Sequence, residues 1–503
     1  VMEMLPDRKM APAQLGDVLV LGRGVSGQAV LDYLEPLVGT RVHTLTCAEG
    51  DAPGEGHFDL CIASPGISQF SDIYQTAARM SDELIGEVEF AWRESAADSL
   101  WIAITGTNGK TTTTALCAHV MEACGYEVRC VGNIGDAAIT AVGHDTAGER
   151  GVAPCCAESP SSHEMASKHS GVRAARCVDA ASQVRTVYVV ECSSYQLAST
   201  VAFAPNVAVV LNITPDHLAW HRTHRNYAEA KWNIMRHLAA SDGVAVLNAT
   251  DDEVRARVRA VKDDPDRGFD YIPLGTAEGI AGDMRARCGA RHAAFCDASG
   301  MLRVAFAGED AALCAATDLQ LEGSHNIENA LAAAAAAVAA GADRAQVAQA
   351  LTSFAPLPHR IEPVGTVAGV RFYNDSKATN TDATCKAICA FAPDKPIVLL
   401  GGRDKGTDLE PLVTTCRANA RGVVLYGESL PRFAEAFAAV EDIRVQQAAT
   451  LAEAFEVACA GAQPGDIVLL SPACASFDEF SCFEERGDRF KQLVADARAR
   501  QGE

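Results

Sequence analysis

The chain has 503 residues, 48% of them hydrophobic and 21% charged, with a net charge of −22. That length suggests roughly three domains, and the acidic excess disfavours nucleic acid as a partner, so an anionic substrate has to be held by local cations and helix N-termini. No apolar run approaches the roughly 18–20 residues of a membrane helix, the opening "VMEMLPDRKMAPAQLGD" has no signal-type apolar stretch, and the 18 scattered cysteines read as reduced thiols. The expectation is a cytoplasmic protein without membrane contact.

In chain order, "DVLVLGRGVSGQAVLDYL" predicts a strand, a glycine turn and a helix, with Gly22, Gly24 and Gly27 completing G-x-G-x-x-G. Glycines there permit a tight turn and a close approach of backbone to phosphate. A dinucleotide site wants an acidic residue at the end of the next strand. "RVHTL" offers His43 and Thr44 instead, which disfavours NAD and an oxidoreductase. "DLCIASPGI" reads as a further strand ending in the turn Ser64-Pro65-Gly66, and this first segment runs to about Asp98.

The second segment opens on "LWIAITGTNGKTTTTAL". Its G-x-x-G-K-T, Gly106 to Thr111, is two residues shorter than G-x-x-x-x-G-K-[ST]. A strand running into a helix through such a loop aims backbone N–H groups and the helix dipole at one spot. Lys110 supplies a point charge for phosphates and Thr111 a hydroxyl for Mg²⁺, so the shorter loop keeps every working part. The strands "TVYVVE", "VAVVLNIT" and "VAVLN" continue a parallel βα pattern. Glu191 ends the first of these and His217 follows the second, both on the side where ligands gather in such sheets. Lys231 lies in the helical stretch "AEAKWNIM"; buried near a metal it would lose its proton and could take up CO₂ as a carbamate. Residues 143–183 show no apolar period and read as a surface insertion; Cys155, Cys156, His163, His169 and Cys177 match no zinc spacing. "NIENALAAAAAAVAAG" predicts a buried helix stopped by Gly341, with Ser324 to Asn329 capping its start. The third segment, from about Leu357, is again α/β, with "IVLLGG", "GVVLYG" and "DIVLLSPA" as strands.

G-x-x-G-K-T-T, "GNIG", "ECSSYQL", "NITPDHL", "AEAKWNI", "GSHNIEN" and "PLPHRIE" follow one another in the order found in the Mur ligases, which the chain resembles over nearly its whole length apart from 143–183. "NDSKATN", "GGRDKGTDL" and "SPACASFDEFSCFEERG" resemble the branch of that family that adds D-glutamate, and argue against the other branches and the related folate ligases.

The resemblance implies three α/β domains: a Rossmann-like domain at 1–98, a central P-loop ATPase-type parallel sheet at 99–357, and a dinucleotide-binding-like domain at 358–503. It implies that the first binds UDP-N-acetylmuramoyl-L-alanine through Ser26, Thr44, Ser64, Pro65 and Gly66, with Asn133 reaching the sugar; Leu45 departs from an arginine found in some members. ATP would be held by Gly106, Thr107, Asn108, Gly109, Lys110, Thr111, Thr112, Asn326, Asn329, Arg360, Asp375 and Lys377. Two Mg²⁺ ions would take Thr111, Glu191, His217 and a carbamylated Lys231 as ligands, and D-glutamate would meet Thr379, Lys405, Ser476 and Phe483. Lys110, Glu191, His217 and Lys231 are the implied catalytic set, whose intact state argues against a dead scaffold. "DHLAWH" departs from the usual "DHLDRH" at Ala219 and Trp220. A monomer is expected.

Overall fold

The computed structural model describes residues 8–10, 15–37, 41–45, 56–146, 185–275, 292–321, 323–404, 406–440 and 442–501. Lys405, and all of the 143–183 segment except its first four residues, fall outside that range, as do the five Cys and His residues considered for metal binding.

Strands β1 (Asp17–Leu21), β2 (Arg41–Leu45), β3 (Leu60–Ala63) and β4 (Leu84–Gly86) form a parallel sheet in the order β2-β1-β3-β4. Helix α1 (Val25–Leu34) leaves β1 through the glycine turn, and α2 (Asp72–Arg79) starts under a cap from the Ser71 hydroxyl. Helix α3 (Glu87–Glu94) follows β4 with every residue buried, including three glutamates. Buried carboxylates need partners. Glu89 accepts from Ala202 N at 2.8 Å and from Arg93, Glu94 from the Tyr33 hydroxyl at 2.8 Å and from Arg8, and Glu87 from Ile139 N at 2.8 Å.

The second sheet has nine strands. In chain order these are β5 (Leu100–Thr105), β6 (Glu127–Gly132), β7 (Thr186–Glu191), β8 (Val207–Val210), β9 (Val244–Asn248), β10 (Asp270–Gly275), β11 (Ala293–Cys296), β12 (Met301–Phe306) and β13 (Glu309–Ala315). Their order in space is β13-β12-β11-β10-β9-β8-β5-β7-β6, parallel from β6 to β11 and closed by an antiparallel meander. Strand β5 lies between β7 and β8 with all six residues buried, as the unbroken apolar run LWIAI requires of a strand covered on both faces. Trp101 stacks on Tyr188 with ring centroids 4.7 Å apart. Helices α4 (Lys110–Ala123), α5 (Ala138–Thr146), α6 (Ser194–Ala198), α7 (Leu218–His221) and α8 (His224–Trp232) fill the connections. The stretch without apolar period starts at Gly143, but α5 runs on to Thr146. The helix Ser324–Ala339 also begins earlier than expected, so Ser324 to Asn329 form its first turns and do not cap it from outside. It stops as expected at Gly341, φ 97°, with Gly341 N and Ala342 N bonding back to Val338 O and Ala337 O.

These two sheets share one compact unit, 1–318 with 328–352. The other unit, 319–327 with 353–503, carries a six-stranded sheet. Its strands are β14 (Glu362–Val367), β15 (Val370–Asn374), β16 (Ile397–Gly401), β17 (Gly422–Tyr426), β18 (Arg444–Gln447) and β19 (Ile467–Ala473). They run in the order β14-β15-β19-β16-β17-β18, parallel except for the β14–β15 hairpin. No helix among the described residues is long and apolar enough to cross a membrane, and the described cysteines are free thiols.

Candidate active site

The C-terminal ends of β5, β7 and β8 open onto one corner. Gly109, at φ 83°, turns the chain into α4, and a Cβ on it would stand 2.5 Å from Asn329 Oδ1. Only glycine fits there. The loop is fixed from the neighbouring strand end. Asn212 O accepts from Thr107 N at 2.8 Å, Asn212 Oδ1 accepts from Asn108 N at 2.8 Å, and Asn212 Nδ2 donates to Asn108 O at 3.1 Å. The Thr107 hydroxyl donates to Thr214 O at 3.1 Å and lies 2.8 Å from the buried Tyr227 hydroxyl. Asn329 Oδ1 accepts from the Thr113 hydroxyl at 3.1 Å, which places that expected ATP contact against the first turn of α4. Thr111 and Thr112 lie in that same turn.

Two lysine amines meet at this corner. Lys110 Nζ donates to Gly106 O and Thr107 O, each at 2.9 Å. Lys231, fully buried on α8, donates to Gly106 O at 2.7 Å and sits 4.8 Å from the centre of the Tyr227 ring. Burial holds the Lys231 amine well below the ordinary lysine range, the neighbouring Lys110 pushes it further down, and Asp216 and Glu191 only partly oppose this.

Glu191 is 1% exposed at the end of β7. Its Oε1 accepts from Asn133 Nδ2 at 2.8 Å, its backbone O accepts from Asn133 N at 2.9 Å, and its Oε2 is buried without a hydrogen-bond partner among the described residues. His217 is more exposed. It takes a left-handed conformation, φ 53°, at the start of α7, with Nε2 3.6 Å from Asp216 and its ring 6.3 Å from that of Tyr227. One turn on, His221 is fully buried beside Ser194, 2.9 Å away, and burial pushes its imidazole down to about 4.

The glycine turn after β1 forms a separate cleft of about 400 Å³ lined by Arg23, Ser26, Ser64, Pro65, Gly66 and Ile67, among others. A Cβ on Gly27 would lie 2.0 Å from Gly22 O, so α1 starts hard against the turn. Ser26, Ser64, Pro65 and Gly66 are thus brought together. Thr44 stands on the neighbouring strand β2, paired with Val20, and is not among the lining residues.

In the other compact unit, the turn after β15 and the segment after β19 converge. Lys377 Nζ lies 3.7 Å from the centre of the Phe483 ring, and the Ser376 hydroxyl donates to Phe483 O at 2.8 Å. Arg486, 1% exposed, ties the two segments by donating to Ser376 Oγ, Ser376 O and Cys474 O at 2.9, 2.8 and 3.1 Å. Ser476 follows Cys474 and is buried, and Thr379 N donates to Lys377 O at 2.8 Å. Asp375 is buried beneath this turn, accepts from the Ser471 hydroxyl at 2.7 Å, and is pushed up to about 7 by burial, against the pull of Ser471 and Arg360. Asn326 belongs to this unit as well.

Residues 104–337 match the family profile described as the Mur ligase middle domain, and 359–474 match that of the Mur ligase glutamate ligase domain. A UDP-N-acetylmuramoylalanine–D-glutamate ligase from Thermoanaerobacter pseudethanolicus is 35% identical over 507 aligned positions, covering 96% of this chain and 98% of its own. The chain belongs to the Mur ligase family. A ligase of the same name from Salinibacter ruber is 38% identical over 447 positions, 87% of this chain and 84% of its own. Among solved structures, the MurF ligase of Thermotoga maritima in complex with ADP superposes with a TM-score of 0.54 at 16% identity, over 99% of this chain and 97% of its own. The three-sheet α/β architecture is thus that of Mur ligases, and the chain is an enzyme of the ligase class.

The sequence reading missed Asn212, Tyr227 and Arg486. Tyr227 stands four residues before Lys231 and so on the same helical face, a spacing that could have drawn attention to it. Asn212 sits inside "NITPDHL", and Arg486 inside "FEERG".

Proposed function

We propose that the chain is an ATP-dependent, ADP-forming ligase that adds D-glutamate to UDP-N-acetylmuramoyl-L-alanine during cytoplasmic peptidoglycan precursor synthesis. The observation that carries this reading is the corner where Lys110 and a buried Lys231 converge on Gly106 O beside a half-partnered Glu191. The relatives' names supply the substrates. We take the domains to be 1–98, 99–357 and 358–503, one for each sheet.

The loop between β5 and α4 receives the phosphates of ATP. The N–H groups of the first turn of α4 and the Lys110 ammonium face the γ-phosphoryl group, while Asn212, which takes the Thr107 and Asn108 N–H groups, and Tyr227 keep the loop in shape for it. The alanyl carboxylate of the nucleotide substrate, anchored in the glycine-turn cleft, attacks that phosphorus and ADP departs. Lys110 follows the charge as it spreads over the transferring oxygens. The amine of D-glutamate then attacks the acyl phosphate, inorganic phosphate leaves, and an amide remains. Thr379, Ser476, Phe483 and Lys405 are the residues we assign to D-glutamate; Arg360, Asp375, Lys377, Asn326 and Asn329 to the nucleotide. Because an acyl phosphate hydrolyses readily, water has to be kept from it.

The residues present fit Mg²⁺. Glu191 Oε2 is a buried oxygen with no partner among the described residues, and burial shifts Lys231 towards the uncharged amine, the form that can take up CO₂ as a carbamate. Thr111, Glu191, His217 and carbamylated Lys231 would hold the ions. When bound, Mg²⁺ neutralises phosphate charge in a low-dielectric site.

The test is phosphate release by the purified protein with UDP-N-acetylmuramoyl-L-alanine, ATP and Mg²⁺ against a panel of amine acceptors. Release should require D-glutamate. Equal release with L-glutamate, D-alanyl-D-alanine or diaminopimelate would displace this assignment within the family.

A further inference from the structure

Two contacts join the loop that walls the glycine-turn cleft to the short helix that follows His217. The Ser68 hydroxyl donates to Trp220 O at 3.0 Å. Arg222 Nη2 donates to Phe70 O at 3.0 Å, and its guanidinium lies 4.7 Å from the centre of the Phe70 ring. On the cleft side, Ser68 is one residue beyond Ile67, which lines the cleft together with Ser64, Pro65 and Gly66. The loop is bonded within itself: Ile67 N to Ser64 O at 3.1 Å, Ser71 N to Ser68 O at 2.9 Å, and Phe70 N to Ser68 Oγ at 3.3 Å. These bonds brace the loop internally. On the other side, Trp220 N and His221 N both bond His217 O at 3.1 Å, and Arg222 N bonds Leu218 O at 2.8 Å. Helix α7 is bracketed by two non-glycine residues with positive φ, His217 at 53° and Arg222 at 67°. Non-glycine residues hold that conformation at a cost, so outside contacts are needed to keep it.

We propose that Ser68 and Arg222 form a clamp that carries occupancy of the glycine-turn cleft to α7 and so sets the position of His217. Both are positioning residues: neither touches the reacting groups. Ser68 is suited to this because its one hydroxyl serves both sides, accepting from Phe70 N while donating to Trp220 O. Arg222 is suited because its planar cation can bond a carbonyl and cover the adjoining ring at once. The clamp rests on the reading of the cleft as the nucleotide end of the substrate site.

Trp220 supplies a reporter that needs neither metal nor turnover, since its ring lies 4.4 Å from His221 and 4.7 Å from Tyr195. In metal-free buffer, UDP-N-acetylmuramoyl-L-alanine should change tryptophan emission of the wild type, and Trp220→Phe should remove most of that change. The double variant Ser68→Ala/Arg222→Ala should still bind the nucleotide by calorimetry, within about threefold of the wild-type affinity, yet show little emission change at equal saturation. Arg222→Lys, which keeps the charge and a donor, should retain part of the response. An undiminished response in the double variant would overturn the clamp, as would a wild type that binds without any response from Trp220. Absence of calorimetric binding to the wild type would instead remove the cleft assignment on which the clamp stands. Thermal melting of each variant separates a lost signal from a lost fold.

Discussion

Lys110 and Lys231 donate to the same acceptor, Gly106 O, from 2.9 and 2.7 Å. Two ammonium groups on one carbonyl repel strongly in a buried setting. Lys231 is the more deeply enclosed, so burial and the neighbouring Lys110 disfavour its charged form. On the proposed function, Lys110 is the cation offered to phosphates and Lys231 the amine offered to CO₂. The account predicts that Lys231→Ala is almost inactive and that acetate, filling the space of the lost carbamate, restores part of the activity. Lys231→Arg stays protonated and should be inactive too. Steady-state rates with and without acetate check this; substantial activity in Lys231→Arg would mean that a cation is what the site needs.

Lys110→Ala should cost roughly 10²–10³ in turnover, since one preorganised charge facing the transferring phosphoryl group is removed. Single-turnover formation of ADP is the readout. Near-normal rates would detach Lys110 from the chemistry.

Asn133 holds Glu191 by side chain and backbone together. Asn133→Ala would leave both Glu191 oxygens buried without a partner, at a cost of about 1–3 kcal/mol. Asn133→Asp should be worse, because it sets a second carboxylate against the first. Urea melts in metal-free buffer compare the two; equal stability of all three proteins would mean that the contact holds nothing.

Stability should also depend on pH through Glu87. Burial pushes its carboxyl up to about 7 from an ordinary value of 4.5. Between those values the folded protein keeps a proton that the unfolded chain has released, so this group's contribution is full at low pH and falls as pH rises through about 7. Glu87→Gln retains an acceptor for Ile139 N and cannot ionise. Its stability relative to wild type should be least favourable near pH 4.5 and improve steadily up to about pH 8. Chemical denaturation across that range tests it, and a flat difference would contradict the shift.

The parts legible in the sequence were those written locally. G-x-x-G-K-T before an α4 helix, the glycine turn after β1 and the alternation of strands with helices each follow from neighbours in the chain. The bond from Asn212 to Asn108 spans 104 residues and the bond from Arg486 to Ser376 spans 110, so no spacing rule reaches them. The start of the helix Ser324–Ala339 was misplaced because polar residues that suit a cap also tolerate a first turn. The antiparallel meander β11-β12-β13 is not foreseen either: only the pairing of its strands makes them a sheet edge.

The central claim is that this corner activates a carboxylate by phosphorylating it. Labelling both carboxyl oxygens of UDP-N-acetylmuramoyl-L-alanine with ¹⁸O and letting the enzyme turn over with ATP, Mg²⁺ and D-glutamate tests that directly. One labelled oxygen should appear in each inorganic phosphate released, as shown by mass spectrometry, and the other should stay in the amide. Unlabelled phosphate alongside amide product would mean that the carboxylate is never phosphorylated, and the account would fail.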